Sequence, residues 1–167
     1  MSQEAVVVDP MAFVREGRRV DRRLSVASLP RLATEVAGDG GDFAIRLEGF
    51  RDEGGKSFLL VEVDGRAPLI CQRCLEPMEW VCRVRARLLL VPVGQSIPED
   101  ELEDDSYDAV EVGSRQDLLA LAEDEILLAL PVVPRHEVCD APLESRGASK
   151  ESPFAGLARL RSGKDPA

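Results

Sequence analysis

Two distant pairs of metal-capable side chains constrain this chain more than any other feature. Cys71 and Cys74 form C-x-x-C in ICQRCLEP, while His136, the single histidine, forms H-x-x-C with Cys139 in PRHEVCD. The halves are separated by 61 residues, so an ion shared between them ties the carboxyl-terminal segment to the loop at Cys71. Zinc takes four N/S ligands in a tetrahedron, and a two-residue spacer lets two ligands reach one ion. Cys71, Cys74, His136 and Cys139 together supply Cys₃His with no position left for water, which is a structural site. Two other readings compete: four unrelated residues, or a redox C-x-x-C. The redox reading is weakened because the pair precedes a strand, whereas a low-pKa thiol usually sits at a helix amino terminus. Cys82 stands apart from the set, since it shares the strand phase of Trp80 and Val84 and reads as a small core residue.

The strand that fixes this phase is the most legible element. Over Met78–Val91, Trp80, Cys82, Val84, Ala86, Leu88 and Leu90 fall on one side; Val81, Arg83, Arg85, Arg87 and Leu89 fall on the other. One face is core and the other carries three arginines in succession. Upstream, Asp9 and Pro10 start a short helix, and Arg23–Leu29 reads as a strand stopped by Pro30. Leu32–Ala37 is a short helical or irregular piece. Phe43–Phe50 and Phe58–Val63 alternate as strands around the hairpin signal DEGGK, and Asp64-Gly65 reads as a further turn. Tyr107–Val112 returns briefly to strand. Ser114–Leu130 is the main helix, with Ser114 and Asp117 as a capping box, a stripe of Leu118, Leu119, Ala122, Ile126 and Leu130, and Pro131 as its stop. The expected fold class is α+β: an antiparallel sheet with a long central strand, one main helix in the C-terminal half, and a zinc-knot-like loop. Residues 1–140 are expected to form one domain, with a flexible tail over 141–167.

Charge is concentrated. The net charge is −10, yet the run Glu99–Glu111 alone holds eight acids and no base, so the rest of the chain carries only −2. With Pro92, Pro98 and little periodicity, the stretch at about 94–108 reads as a mobile acidic loop. Its acids cannot hold two carboxylates at a fixed separation, so it offers no acid–base pair. With the one histidine assigned to metal, no base remains for a Ser or Cys nucleophile. No Gly-rich phosphate loop is present either. A catalytic site and a small-molecule substrate are therefore not expected. No apolar run approaches the ~18 residues of a membrane helix, and MSQEAVVVDP lacks a basic n-region. A cytoplasmic protein without a membrane partner is expected. Arg83, Arg85 and Arg87, spaced ~6–7 Å apart on one strand face, suit successive phosphates, with Arg73 nearby. Low aromatic content argues against base stacking.

CQRCLEP, the segment VEVGSRQDLLALAEDEILLALPVVPRHEVC and then SPFAGLARL resemble the YceD family of bacterial proteins, over about residues 65–160. The resemblance implies a factor for accumulation of the large-subunit (23S) ribosomal RNA, metal-binding and without enzymatic activity. It implies ribosomal RNA or a large-subunit ribosomal protein as partner. The family's cysteine pair falls on Cys71 and Cys74, and its helix-terminal His and Cys fall on His136 and Cys139. An adaptor that binds proteins through the acidic loop and tail, and a C-x-x-C thiol redox protein, are the alternatives.

Overall fold

The computed structural model describes residues 5–97 and 105–139. The acidic run from 98 to 104 and the expected tail over 141–167 lie outside these residues. Five strands form the main sheet in the order β2 (Arg19–Ser25), β3 (Asp42–Arg51), β4 (Ser57–Ile70), β5 (Pro77–Pro92) and β6 (Asp108–Val112). All pairings are antiparallel except β5 with β6, which is parallel and limited to Leu88–Pro92. A two-residue ribbon joins β1 (Val7–Val8) to β7 (Gln116–Asp117). Helices α1 (Pro10–Arg15), α2 (Leu32–Glu35) and α3 (Leu118–Leu128), with a 3₁₀ turn at Val26–Ser28, complete the described elements.

Alternation decides which face is covered. Phe43, Ile45 and Leu47 on β3, Val61 and Val63 on β4, and Leu88 and Leu90 on β5 all point into one buried core with Phe13, Leu118 and Ile126. Cys82 lies in this core, 1% exposed, as its phase predicts. Burial, reinforced by the charge of Asp64, pushes its thiol up to about 11. Near the β5–β6 pairing the other face is covered as well. There Phe58, Leu89 and Val91 pack with Phe50 and Tyr107, which is why the run Leu88–Val91 is continuously apolar.

Several boundaries differ from the sequence reading, each for a tertiary reason. Asp64 and Gly65, expected to begin a turn, lie inside β4. A side chain at Gly65 would meet the Phe43 ring at 2.3 Å, so this glycine serves close packing and not a bend. Gly49 likewise admits α1, whose Phe13 and Val14 would each stand 2.8 Å from a side-chain carbon there. The strand expected at Arg23–Leu29 runs instead over Arg19–Ser25 and gives way to a 3₁₀ turn at Val26–Ser28. The main helix starts at Leu118, four residues late. Its cap is Asp117, not Ser114, because that carboxylate accepts both from Leu119 N–H at 3.1 Å and from Val6 N–H at 3.0 Å. Glu123, 4% exposed on α3, accepts from the backbone N–H of Arg31 and Leu32 at 2.9 and 3.1 Å. The Arg31 guanidinium spans Glu123 and Asp124, so α2 is fastened to α3 by charge-assisted hydrogen bonds.

Candidate metal centre

β4 and β5 form one long hairpin, paired down to Ile70 and Pro77, and C-x-x-C is its six-residue tip. Cys71 N–H donates to the Glu76 carbonyl at 3.0 Å, and Leu75 N–H to the Cys71 carbonyl at 2.9 Å. Closing so tight a loop puts Leu75 at φ 64°, the left-handed region that costs a non-glycine residue ~1–2 kcal/mol. The second half arrives from the end of α3, where Pro131 stops the helix and the chain bends at Val132–Val133. Gln72 N–H donates to the Pro134 carbonyl at 2.8 Å, docking that segment against the tip.

The docking brings all four predicted ligands together. One donor atom from each of Cys71, Cys74, His136 and Cys139 lies within 4.8 Å of all the others. Four ligands at ~2.3 Å from a tetrahedral ion stand ~3.7 Å apart. The Sγ atoms of Cys71 and Cys139 are 3.7 Å apart, and His136 Nδ1 is 3.3 Å from Cys74 Sγ and 3.9 Å from Cys139 Sγ. The donor set therefore fits a tetrahedral, thiolate-preferring ion.

Neighbouring groups prepare these atoms for a cation. Pro77's carbonyl can only accept, so His136 Nε2, 3.2 Å away, is the donor; this fixes the tautomer that leaves Nδ1 free toward the sulfurs. Burial pushes the Cys71 thiol up, but backbone N–H groups of Cys74, His136 and Arg73, with the Cys74 side chain, outweigh it. The result lies at about 5. Cys74 goes the other way: the Glu76 N–H lowers it, but burial and the sulfurs of Cys71 and Cys139 raise it more. Such crowding of thiolates is what a divalent ion relieves. Arg73 adds a further cation. Its Nε donates to Cys139 Sγ at 2.9 Å and its Nη2 to the His136 carbonyl at 3.3 Å, and its own pKa is raised by that thiolate. Three thiolates, a neutral imidazole, a divalent ion and Arg73 sum to zero.

Sequence reasoning grouped Arg73 with Arg83, Arg85 and Arg87 as a phosphate-contacting set. The structure separates them. Arg73's guanidinium faces the sulfur cluster, while the other three project from the exposed side of β5. Arg85 pairs with Glu62 at 3.3 Å, and Arg87 lies over the Phe58 and Phe50 rings at 4.9 and 5.8 Å. Arg73's place between the two cysteines was the available hint of its position beside the sulfur cluster. The Pro77 carbonyl, being backbone, left no signal.

A sequence model of the family described as "Large ribosomal RNA subunit accumulation protein YceD" matches residues 59–161. A curated protein of Haemophilus influenzae bearing that same description is 29% identical over 170 residues, covering 93% of this chain and 95% of its own length. No solved structure matches the chain.

Proposed function

The chain belongs to the YceD family, and on that premise we propose that it is a non-enzymatic factor supporting 23S ribosomal RNA accumulation and large ribosomal subunit biogenesis. It works as a binding module in the cytoplasm, where thiols stay reduced. Residues 1–140 are the module and 141–167 a tail. A structural zinc held by Cys71, Cys74, His136 and Cys139 closes the hairpin tip and fastens the segment after α3 to it. The observation that carries this reading is the closed donor set. Four protein ligands at tetrahedral separations leave no coordination position for water or substrate, so the ion supplies shape and not reactivity. The contact element is the β4–β5 hairpin. Arg83, Arg85 and Arg87 line its exposed side, Arg73 completes its tip, and its partner is a large-subunit component, ribosomal RNA or a ribosomal protein.

Gradient sedimentation with crosslink mapping tests this directly. The protein is expected to travel with precursors of the large subunit, and its depletion to lower 23S relative to 16S ribosomal RNA. A protein found only in the free fractions, with an unchanged RNA ratio on depletion, overturns the reading. The lowered Cys71 thiol favours one alternative, a dithiol redox protein. Thiol titration separates the two. A metal site protects three cysteines until chelator is added, whereas a redox pair exposes two regardless of chelator.

A further inference from the structure

The solvent face of the sheet is built from rows of charge, and the rows end on arginine. In one row Asp21, Arg46, Glu62 and Arg85 stand opposite one another on four successive strands, joined by ion pairs at 3.0, 3.3 and 3.3 Å. The neighbouring rows read Arg19, Glu48, Leu60, Arg87 and Arg23, Ala44, Asp64, Arg83. Adjacent charges alternate in sign, and each row's last residue is an exposed arginine on β5. β6 covers β5 only at Leu88–Pro92, and among the described residues no strand pairs with the outer edge from Met78 to Arg87. That edge is ~30 Å of backbone at ~3.3 Å per residue. Along the same stretch, the inward face holds Trp80, Val84 and Ala86, each only partly buried.

We propose that this edge takes an extended segment of a partner protein as an added strand in line with β6. Its acidic side chains stand at alternate positions opposite Arg83, Arg85 and Arg87, and apolar ones between them cover Trp80, Val84 and Ala86. The inference rests on the reading of the hairpin as contact element and names its partner. Like the alternating rows, an acidic neighbour continues the pattern; cross-strand opposite charges are the favourable pairing. An unpaired edge also presents main-chain donors and acceptors that another strand satisfies and a phosphate backbone does not. For RNA the arginines are poorly placed, because Glu48, Glu62 and Asp64 lie one or two strands behind them and cancel much of their field.

The stretch joining Val93 to Asp108 reaches ~50 Å when fully extended, whereas descending the whole edge to Met78 and returning takes about 80 Å, so it is too short to follow the edge to its end. The segment after Cys139 carries five bases (Arg146, Lys150, Arg159, Arg161 and Lys164) against four acids (Asp140, Glu144, Glu151 and Asp165), so it offers no acidic run to the edge.

The full-length zinc-loaded protein is titrated with a synthetic peptide of alternating glutamate and valine. Trp80, the only tryptophan, reports binding by a blue shift, and the amides of residues 79–87 gain exchange protection. Two peptides N-methylated at alternate positions, offset by one residue, are expected to differ at least tenfold, because only one keeps the hydrogen-bonding edge. The combined variant Arg83→Glu, Arg85→Glu, Arg87→Glu is expected to lose the peptide at least tenfold and to bind instead its lysine counterpart. A photo-crosslinker at Val81, 57% exposed, is expected to give protein adducts in precursor particles. Equal binding of the two methylated peptides overturns the proposal, as do RNA adducts at Val81 or self-association of the chain through this edge. Peptide binding by a chain that lacks residues 98–104, but not by the full chain, also overturns it, assigning the edge to the chain's own acidic run. Sedimentation with precursor particles but no peptide binding defeats this inference alone; peptide binding without sedimentation defeats the ribosomal reading alone.

Discussion

At Leu88 and Leu89, β5 is buried on both faces and paired on both edges, whereas from Pro77 to Arg87 it has one strand neighbour among the described residues and an exposed side chain at every second position. The first end is held by apolar burial, at ~1.5–3 kcal/mol for each large side chain. The second buries less: Cys82 is enclosed, but Trp80, Val84 and Ala86 are only partly covered, and the tip beyond them is barely packed. Leu75 at the tip is 70% exposed, and Val133 and Val138 on the segment docked there are exposed as well. A hairpin tip with so little apolar burial needs another source of order, and on the proposed reading an ion held by the sulfur cluster supplies it. On that reading the sheet is anchored at one end by packing and at the other by coordination. The two anchors are separable by experiment.

Removing the metal is the strongest way to separate them. Structural zinc sites contribute apparent free energies of ~10–16 kcal/mol in small finger peptides, and here that energy is expected to act on the tip alone. Chelation should raise amide exchange over residues 70–77 and 131–139 by orders of magnitude while β3 and the upper half of β4 stay protected. Acid should do the same. The Cys71 acidity at about 5 lies below its ordinary 9.0, so the stability it lends is complete above pH 9 and is lost as pH falls through 5. Cys74, whose pKa is shifted upward, keeps its proton to higher pH than Cys71. Global unfolding on chelation would show that the body depends on the tip after all.

The converse test attacks the packed end. Phe43 is fully buried and lies 6.5 Å, ring to ring, from Trp80. Phe43→Ala is expected to cost about 3–5 kcal/mol in global stability, measured by denaturant titration, with one metal per chain retained at low denaturant. Loss of metal binding in the folded variant would show that the core sets the ligand geometry. An intermediate case is Cys82→Ser, which places a hydroxyl in the core for about 1–3 kcal/mol if it finds no partner. Metal content should not change. A drop in stoichiometry would make Cys82 a ligand.

Both anchors could be read from the sequence, but unequally. Coordination restricts residue type, so Cys71, Cys74, His136 and Cys139 stood out despite their separation, and the structure brings them together. Period-2 alternation likewise exposed the two faces of β5. What failed was whatever depends on contacts between distant segments. Gly65 looked like a turn because Asp-Gly is a turn signal locally; that the Phe43 ring fills its place is a property of the β3–β4 register. Ser114 looked like a cap because nothing near Asp117 indicates that Val6 will donate to it. The charge rows are the extreme case, since Asp21, Arg46, Glu62 and Arg85 belong to four strands whose register no single segment encodes.

The finest test concerns the strain at the hairpin tip. Leu75 adopts φ 64° and buries little of its side chain, so Leu75→Gly removes a left-handed penalty of ~1–2 kcal/mol while sacrificing little packing. Against this, glycine raises the entropy of the unfolded chain by ~0.5–1 kcal/mol. The net gain is about 0–1.5 kcal/mol and belongs to the tip. Tip folding and ion binding are one process on this account, so the gain should appear as tighter metal binding, by up to about tenfold in a chelator competition. The denaturant midpoint of the metal-loaded body should stay where it is. A gain in body stability with unchanged metal affinity would mean that the tip and the packed end fold as a single unit.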